Sequence, residues 1–304
     1  MAPRPRDTAH AFRASDGVTL TYRIARAGAP RAPLLVLIHG LASNMSRWSE
    51  FVEHTRLAGS WDLARVDLRG HGDSFTRQGI GLARWVEDLR ELLDQERRDS
   101  AVFAGHSFGA QVAVHFGARH PSRTRALILV DPVFRQALRG ELRLAARLAP
   151  LLRAFAAIVS GLNAIGLRRR SIPSRDLRAL DERARGEWLS QRRGREMVAH
   201  YSSVLEDLRF FPVASYVREV LAMIEPLPAP EALPMPVLAL LSTGITYAEP
   251  ARVRELLSRL REARVTTVDA YHWPITERPA EVRAAIDTWC GELAARDATR
   301  AGAS

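Results

Sequence analysis

The chain contains no lysine and a single cysteine. Its 44 basic residues are therefore all arginine, and with 34 acidic residues they give a formal net charge of +10. An arginine-rich coding bias accounts for that excess more simply than an anionic partner does. No zinc-finger, RNA-binding or helix-turn-helix signature gives it a nucleic-acid meaning. The lone cysteine, Cys290, excludes an internal disulfide, and its place in an expected C-terminal helix makes it a small core residue rather than a nucleophile. Long apolar runs are missing too. The longest near the start, residues 33–38, has the length of a strand, and none reaches the span of a bilayer. Residues 1–10 hold arginine and proline without the apolar stretch of a secretory signal, so the expected setting is the cytoplasm. Histidine, cysteine and carboxylate residues nowhere cluster with ligand spacing, so neither a metal nor an organic cofactor is implied.

At 304 residues and 47% hydrophobic content, the chain can fill one α/β domain of about 200 residues and still carry a large insertion. Its organising stretch is Ala104-Gly105-His106-Ser107-Phe108-Gly109. An apolar run precedes it and a helical pattern, residues 111–119, follows it, so Ser107 falls at the apex of a sharp strand-to-helix turn. Glycine at 105 and 109 is what such a turn requires, because any side chain there would collide with the tightly folded backbone. Ser107 is thereby expected to present its hydroxyl to a cleft, with a backbone N–H beside it at the start of a helix.

Around this turn the chain alternates strand and helix. Residues 11–25 read as a hairpin about Asp16-Gly17, and residues 34–38 as a strand buried on both faces that runs into His39-Gly40-Leu41. Helical patterns at 48–57 and 82–94 flank a strand at 63–66, which ends in Asp67-Leu68-Arg69-Gly70-His71-Gly72-Asp73-Ser74. The charges of that turn are read as spent on loop hydrogen bonds. A further strand, 126–130, ends at Asp131. Together these segments imply a mostly parallel, doubly wound sheet with helices on both faces. Residues 11–132 form its first part and residues 235–295 its second.

Between them, residues 133–234 show no strand pattern and are rich in Arg, Ala and Leu. A hundred residues cannot be a structureless loop in a compact domain, so this insertion is expected to be a helical lid. Its basic apolar stretch, 142–162, is read as roofing the cleft in preference to docking on a membrane surface.

The ordered motifs His-Gly at 39–40, Asp-Leu-Arg-Gly-His-Gly-Asp-Ser at 67–74, Gly-His-Ser-Phe-Gly at 105–109 and His-Trp-Pro-Ile-Thr-Glu-Arg-Pro at 272–279 resemble the α/β-hydrolase fold. The resemblance covers nearly the whole chain outside the insertion. It implies Ser107 as nucleophile, His272 as its base, and an oxyanion hole formed by the backbone N–H groups of Leu41 and Phe108. It also implies an acid in the loop after the strand that follows the lid, yet residues 242–250 contain no aspartate. Asp131, at the end of the strand before the lid, is where some branches keep their acid. Glu249 is the alternative, and the absence of any acid is a third possibility.

A serine nucleophile argues against the dehalogenases and epoxide hydrolases of this fold, whose alkyl-enzyme chemistry needs a carboxylate. The expected activity is hydrolysis of carboxylic esters or related acyl bonds through an acyl-serine. A small-molecule substrate with an apolar acyl part fits the apolar insertion, and Trp273 and Phe108 are expected to wall the pocket, with core packing as the alternative for both. A ligand-binding protein that has lost the acid is the competing reading.

Overall fold

The computed structural model describes residues 7–29, 32–191 and 193–301. Most of the N-terminal stretch judged to lack a secretory signal lies outside them. Strands β1 (Asp7–Arg13), β2 (Thr19–Ala25), β3 (Leu34–Ile38), β4 (Asp62–Val66), β5 (Ala101–His106), β6 (Thr124–Val130), β7 (Val237–Ser242) and β8 (Ala263–Val268) form one eight-stranded sheet in the order β1-β2-β4-β3-β5-β6-β7-β8. The β1–β2 hairpin and its contact with β4 are antiparallel, and every other pairing is parallel.

The continuous apolar runs follow from covering both faces of the sheet. In β3, Val36 and Ile38 pack in one core cluster with Trp85, Phe103 and Phe116. Leu35 and Leu37 point the other way, into a cluster with Trp48, Trp61 and Trp289. A strand alternates its side chains, so burial on both sides requires an apolar residue at every position. The first face is covered by α2 (Leu82–Gln95) and α3 (Phe108–Arg119), the second by α1 (Ser49–His54) and α12 (Pro279–Ala301). The helix expected over 48–57 is shorter than its pattern, because Thr55 is extended and ties its hydroxyl to Asp287 of α12. Cys290 is fully buried in the second cluster, and burial pushes its thiol up to about 12, so it is a core residue there.

The chain between β6 and β7 folds into α4 (Gly140–Arg147), α5 (Ala149–Ala164), α6 (Leu177–Ala184), α7 (Gly194–Tyr201), α8 (Val204–Phe210) and α9 (Val213–Met223), with no strand among the described residues. After β7 come α10 (Pro250–Leu257) and the short α11 (Pro274–Glu277). This layout carries the loops after β3, β5, β6 and β8 to the carboxyl edge of the parallel strands, the edge at which open α/β sheets present their ligand sites.

Candidate active site

Ser107 sits between β5 and α3 with φ 52° and ψ −111°, a left-handed conformation that a non-glycine residue adopts only when its surroundings hold it there. A Cβ on Gly105 would lie 2.2 Å from the Gly109 carbonyl oxygen, and one on Gly109 would lie 2.4 Å from the His39 carbonyl oxygen. Both glycines are thus obligatory for the close passage of backbone that forms the turn. Serine at a helix N-cap normally turns its hydroxyl back onto the helix amides. Here the Ser107 side chain makes no capping bond and its Oγ lies 3.0 Å from His272 Nε2.

His272 is carried on the loop after β8. Its Nδ1 faces Asp131 Oδ2 at 2.5 Å, and Asp131 Oδ1 accepts the Ser242 N–H at 2.7 Å. Asp131 is itself at φ 46°, a turn pinned by its own N–H donating to the Leu240 carbonyl at 2.7 Å. The last residue of β7 therefore contributes a backbone donor to an acid at the end of β6, and the loop that follows has no aspartate. That loop supplies Tyr247, whose ring meets the His272 ring edge-on with centroids 4.6 Å apart. Glu249 is not brought to the site. It is exposed and pairs with Arg139 at 3.2 Å on the surface.

Glu277 was not singled out by the sequence. Its carboxylate accepts the backbone N–H groups of Tyr271, His272 and Trp273 at 2.9 to 3.2 Å, which fixes the loop that carries the imidazole. His106, buried beneath, faces the His272 carbonyl at 3.0 Å, and burial followed by the neighbouring imidazole lowers it to about 3.

Leu41 and Phe108 lie on the two sides of Ser107 in the fold, after β3 and at the start of α3. Among the described residues, neither backbone N–H has a protein acceptor. The Leu41 loop is held from the helical insertion. Ala42, at φ 45°, donates its N–H to Glu219 Oε2 of α9 at 3.0 Å, while Glu219 Oε1 stands 3.0 Å from His71 Nε2. Both side chains of that pair are fully buried. Burial alone would depress His71, but the Glu219 carboxylate outweighs it and the imidazole is raised above its usual value. His71 thus has a structural ionic partner that the turn motif did not foretell. Asp67 spends its carboxylate on loop hydrogen bonds, as expected, accepting the Asp73 N–H within its own turn and the Met45 N–H from the loop after β3.

A second tie joins α6 to the core. Arg47 reaches Asp181 and also donates to Thr276 Oγ1 at 2.8 Å, and Tyr201 donates to Asp181 at 2.9 Å. Over the serine lies a cavity of about 430 Å³ whose wall includes Leu142, Leu152, Phe155, Val217, Tyr247 and Trp273. Trp273 walls it as expected. Phe108 does not: its ring is fully buried away from the cavity against Trp85, with centroids 5.0 Å apart.

The fold and this serine–histidine–aspartate arrangement define an α/β protein with the layout of a hydrolase. The profile of the Alpha/beta hydrolase family matches residues 35–285, and the chain belongs to that family. Among curated proteins it is 36% identical over 104 residues to the lipase LipV of Mycobacterium tuberculosis, covering 34% of this chain and 39% of that protein. It is 30% identical over 129 residues to a monoacylglycerol lipase of Mycolicibacterium smegmatis, covering 40% of this chain and 46% of that one. The chain thus spans less than half the length of these curated relatives. Among solved structures, the enol-lactonase of Burkholderia xenovorans LB400 superposes with a TM-score of 0.65 over 94% of this chain and 100% of that chain at 22% identity, a likeness of fold.

Proposed function

We propose that the protein hydrolyses carboxylic esters or closely related acyl bonds through an acyl-serine intermediate. One observation carries the reading: a hydroxyl, an imidazole and a carboxylate in series, Ser107 Oγ to His272 Nε2 at 3.0 Å and His272 Nδ1 to Asp131 Oδ2 at 2.5 Å, at the floor of an apolar cavity.

In this reading His272 Nε2 takes the hydroxyl proton as Ser107 Oγ attacks the carbonyl carbon. The Leu41 and Phe108 N–H groups receive the oxygen on which charge develops, each worth about 3 kcal/mol in systems of this kind. Collapse expels the alcohol, which leaves with the proton from His272. Water then attacks the acyl-serine with the imidazole again as base, releasing the acid and restoring the hydroxyl. Asp131 keeps the imidazole in the tautomer that presents a free Nε2 and stabilises the cation that forms. The helices of residues 133–234 act as the lid, and their apolar side chains receive the acyl part.

The ligand-binding alternative rested on a missing acid after β7. Asp131 Oδ2, 2.5 Å from His272 Nδ1, supports ester hydrolysis over that alternative, and it is the reading we retain. Initial rates on short-chain p-nitrophenyl esters test it. Wild-type protein is expected to turn over, and Ser107→Ala to lose at least about a thousandfold in kcat. Undiminished turnover by Ser107→Ala would remove the acyl-serine scheme.

A further inference from the structure

We infer that the solvent face of α4 and α5 is a docking surface for an anionic lipid bilayer, placed so that the mouth of the cavity borders the lipid. Large apolar residues Leu144, Leu148, Leu151, Phe155, Ile158 and Leu162 recur at alternating steps of four and three, the spacing of a single helical stripe. On a helix covering a core that stripe faces inward. Here it faces water: Leu151 is 67% exposed and Ile158 63%, and just beyond the helix Ile165 is 74% exposed. The opposite side of α5, through Ala149 and Ala156, is the side that is buried against the protein. Within α5 the only charged residue is Arg153.

The charge around the stripe is mostly positive: Glu141 of α4 is exposed and Arg153 pairs with Glu225 at 3.5 Å, but five further arginines lack such a partner. Arg143, Arg147, Arg168, Arg169 and Arg170 are exposed, and among the described residues none has a carboxylate within 4.0 Å. Elsewhere on the surface arginines are commonly paired, as Arg178 is with Glu50, Glu53 and Glu182. Arg77 adds to the basic end. Its NH2 group donates to the Arg169 carbonyl at 2.8 Å, and partial burial and then the charges of Arg168 and Arg169 depress its guanidinium. An apolar stripe flanked by uncompensated arginines matches an interface of acyl chains beneath anionic headgroups. A second copy of the chain would meet the stripe with arginines of the same sign, on a molecule whose formal charge is already +10.

The stripe also reaches the cavity. Phe155 belongs to both, being 46% exposed and part of the cavity wall, and Val204 and Val213 of α8 and α9 are likewise exposed wall residues. Docking therefore sets the opening beside the lipid phase. The binding itself does not rest on the acyl-serine reading. Only the passage of an ester from lipid to Ser107 does.

The test is co-sedimentation of the full chain with vesicles of phosphatidylcholine alone and of equal parts phosphatidylcholine and phosphatidylglycerol, at low and at physiological salt. Wild type and Ser107→Ala are expected to bind the mixed vesicles alike, more weakly at the higher salt, and to bind phosphatidylcholine poorly. The double variant Leu151→Asp, Ile158→Asp removes two side chains outside the cavity wall. It should weaken binding by about a hundredfold, roughly tenfold per buried side chain, with its circular dichroism spectrum and its rate on a water-soluble short ester unchanged. Arg168→Gln with Arg170→Gln should weaken binding and flatten its salt dependence. Equal binding by the Leu151→Asp, Ile158→Asp variant, or wild type left in the supernatant with both vesicle types, would overturn the assignment. So would a wild-type dimer in sedimentation velocity without vesicles that the same variant converts to monomer, since the face would then belong to a second copy. Hydrolysis that survives Ser107→Ala would sink the acyl-serine reading and leave the docking result standing.

Discussion

Asp131 and Ser242 meet across neighbouring strands: the Asp131 carboxylate accepts the Ser242 N–H at 2.7 Å through one oxygen and faces His272 Nδ1 at 2.5 Å through the other. The acid is thus oriented by a backbone N–H at the end of β7, the strand whose following loop has no aspartate. Replacing Asp131 by Asn keeps the size of the side chain but favours the wrong imidazole tautomer. The expected loss in kcat is on the order of 10³ to 10⁴. Glu249→Gln should leave kcat within about twofold, because its carboxylate only pairs with Arg139 at the surface. Steady-state kinetics on the two variants side by side distinguish the assignments. A collapse in Glu249→Gln with an active Asp131→Asn would reverse them.

Glu219 joins the insertion to the loop of Leu41. Glu219→Ala strips the buried partner from His71 and the acceptor from the Ala42 N–H, so a loss of about 3 to 5 kcal/mol in unfolding free energy is expected. Glu219→Gln retains an acceptor and removes the charge. His71 is raised in the folded protein, so the stability it draws from Glu219 is present below about pH 6.5 and is lost as pH rises through its raised value. Urea unfolding should therefore show the gap between wild type and Glu219→Gln to be wider at pH 6 than at pH 9. A gap independent of pH would mean that the pair is not ionic.

The glycines of the serine turn permit no side chain. Gly105→Ala and Gly109→Ala each place a carbon within 2.4 Å of a backbone oxygen, and relief requires moving the turn itself. Each variant is expected to lose more than about 3 kcal/mol of stability, or to fail to accumulate as folded protein. Thermal unfolding followed by circular dichroism reads this directly, and a melting temperature equal to wild type in either variant contradicts the turn described.

Asp207 lines the cavity, with Arg175 at 3.8 Å, and burial raises its carboxyl to about 7. In the unfolded chain it titrates near about 4. Between those values the folded protein holds a proton that the unfolded chain has released, so stability falls as pH rises from about 4 to about 7. Asp207→Asn removes this slope. The variant should gain stability relative to wild type between pH 5 and pH 8, by on the order of a few kcal/mol. A difference that stays constant over that range would show Asp207 ionised throughout.

The parallel sheet was legible because strands buried on both faces are apolar at successive positions: β3 is apolar throughout, and β5 is apolar or glycine from Ala101 to Gly105, with His106 as its one polar residue. The serine turn was legible because only glycine fits at 105 and 109. Asp131 was harder to read. Its role depends on where β6 ends relative to β8, a relation between distant strands that no local spacing encodes. Glu219 and Glu277 were missed for the same reason, although Glu219 left a trace as the acid on the buried side of α9, in line with Ser215 and Ala222. The stretch 142–162 was read as a roof because apolar residues at helical spacing usually face inward. Its Leu142 and Leu152 do wall the cavity, Phe155 both walls it and is exposed, and Leu144, Leu148, Leu151, Ile158 and Leu162 face solvent. Periodicity fixes which residues share a face of a helix and leaves open what that face meets.

The central claim is that Ser107 becomes acylated. The most direct measurement is intact-protein mass spectrometry with peptide mapping after reaction with a fluorophosphonate that mimics the tetrahedral stage. A single adduct on the peptide carrying Ser107, abolished in Ser107→Ala and slowed in His272→Ala, is the predicted result. An adduct on another residue, or none under conditions in which the protein still hydrolyses esters, would contradict it.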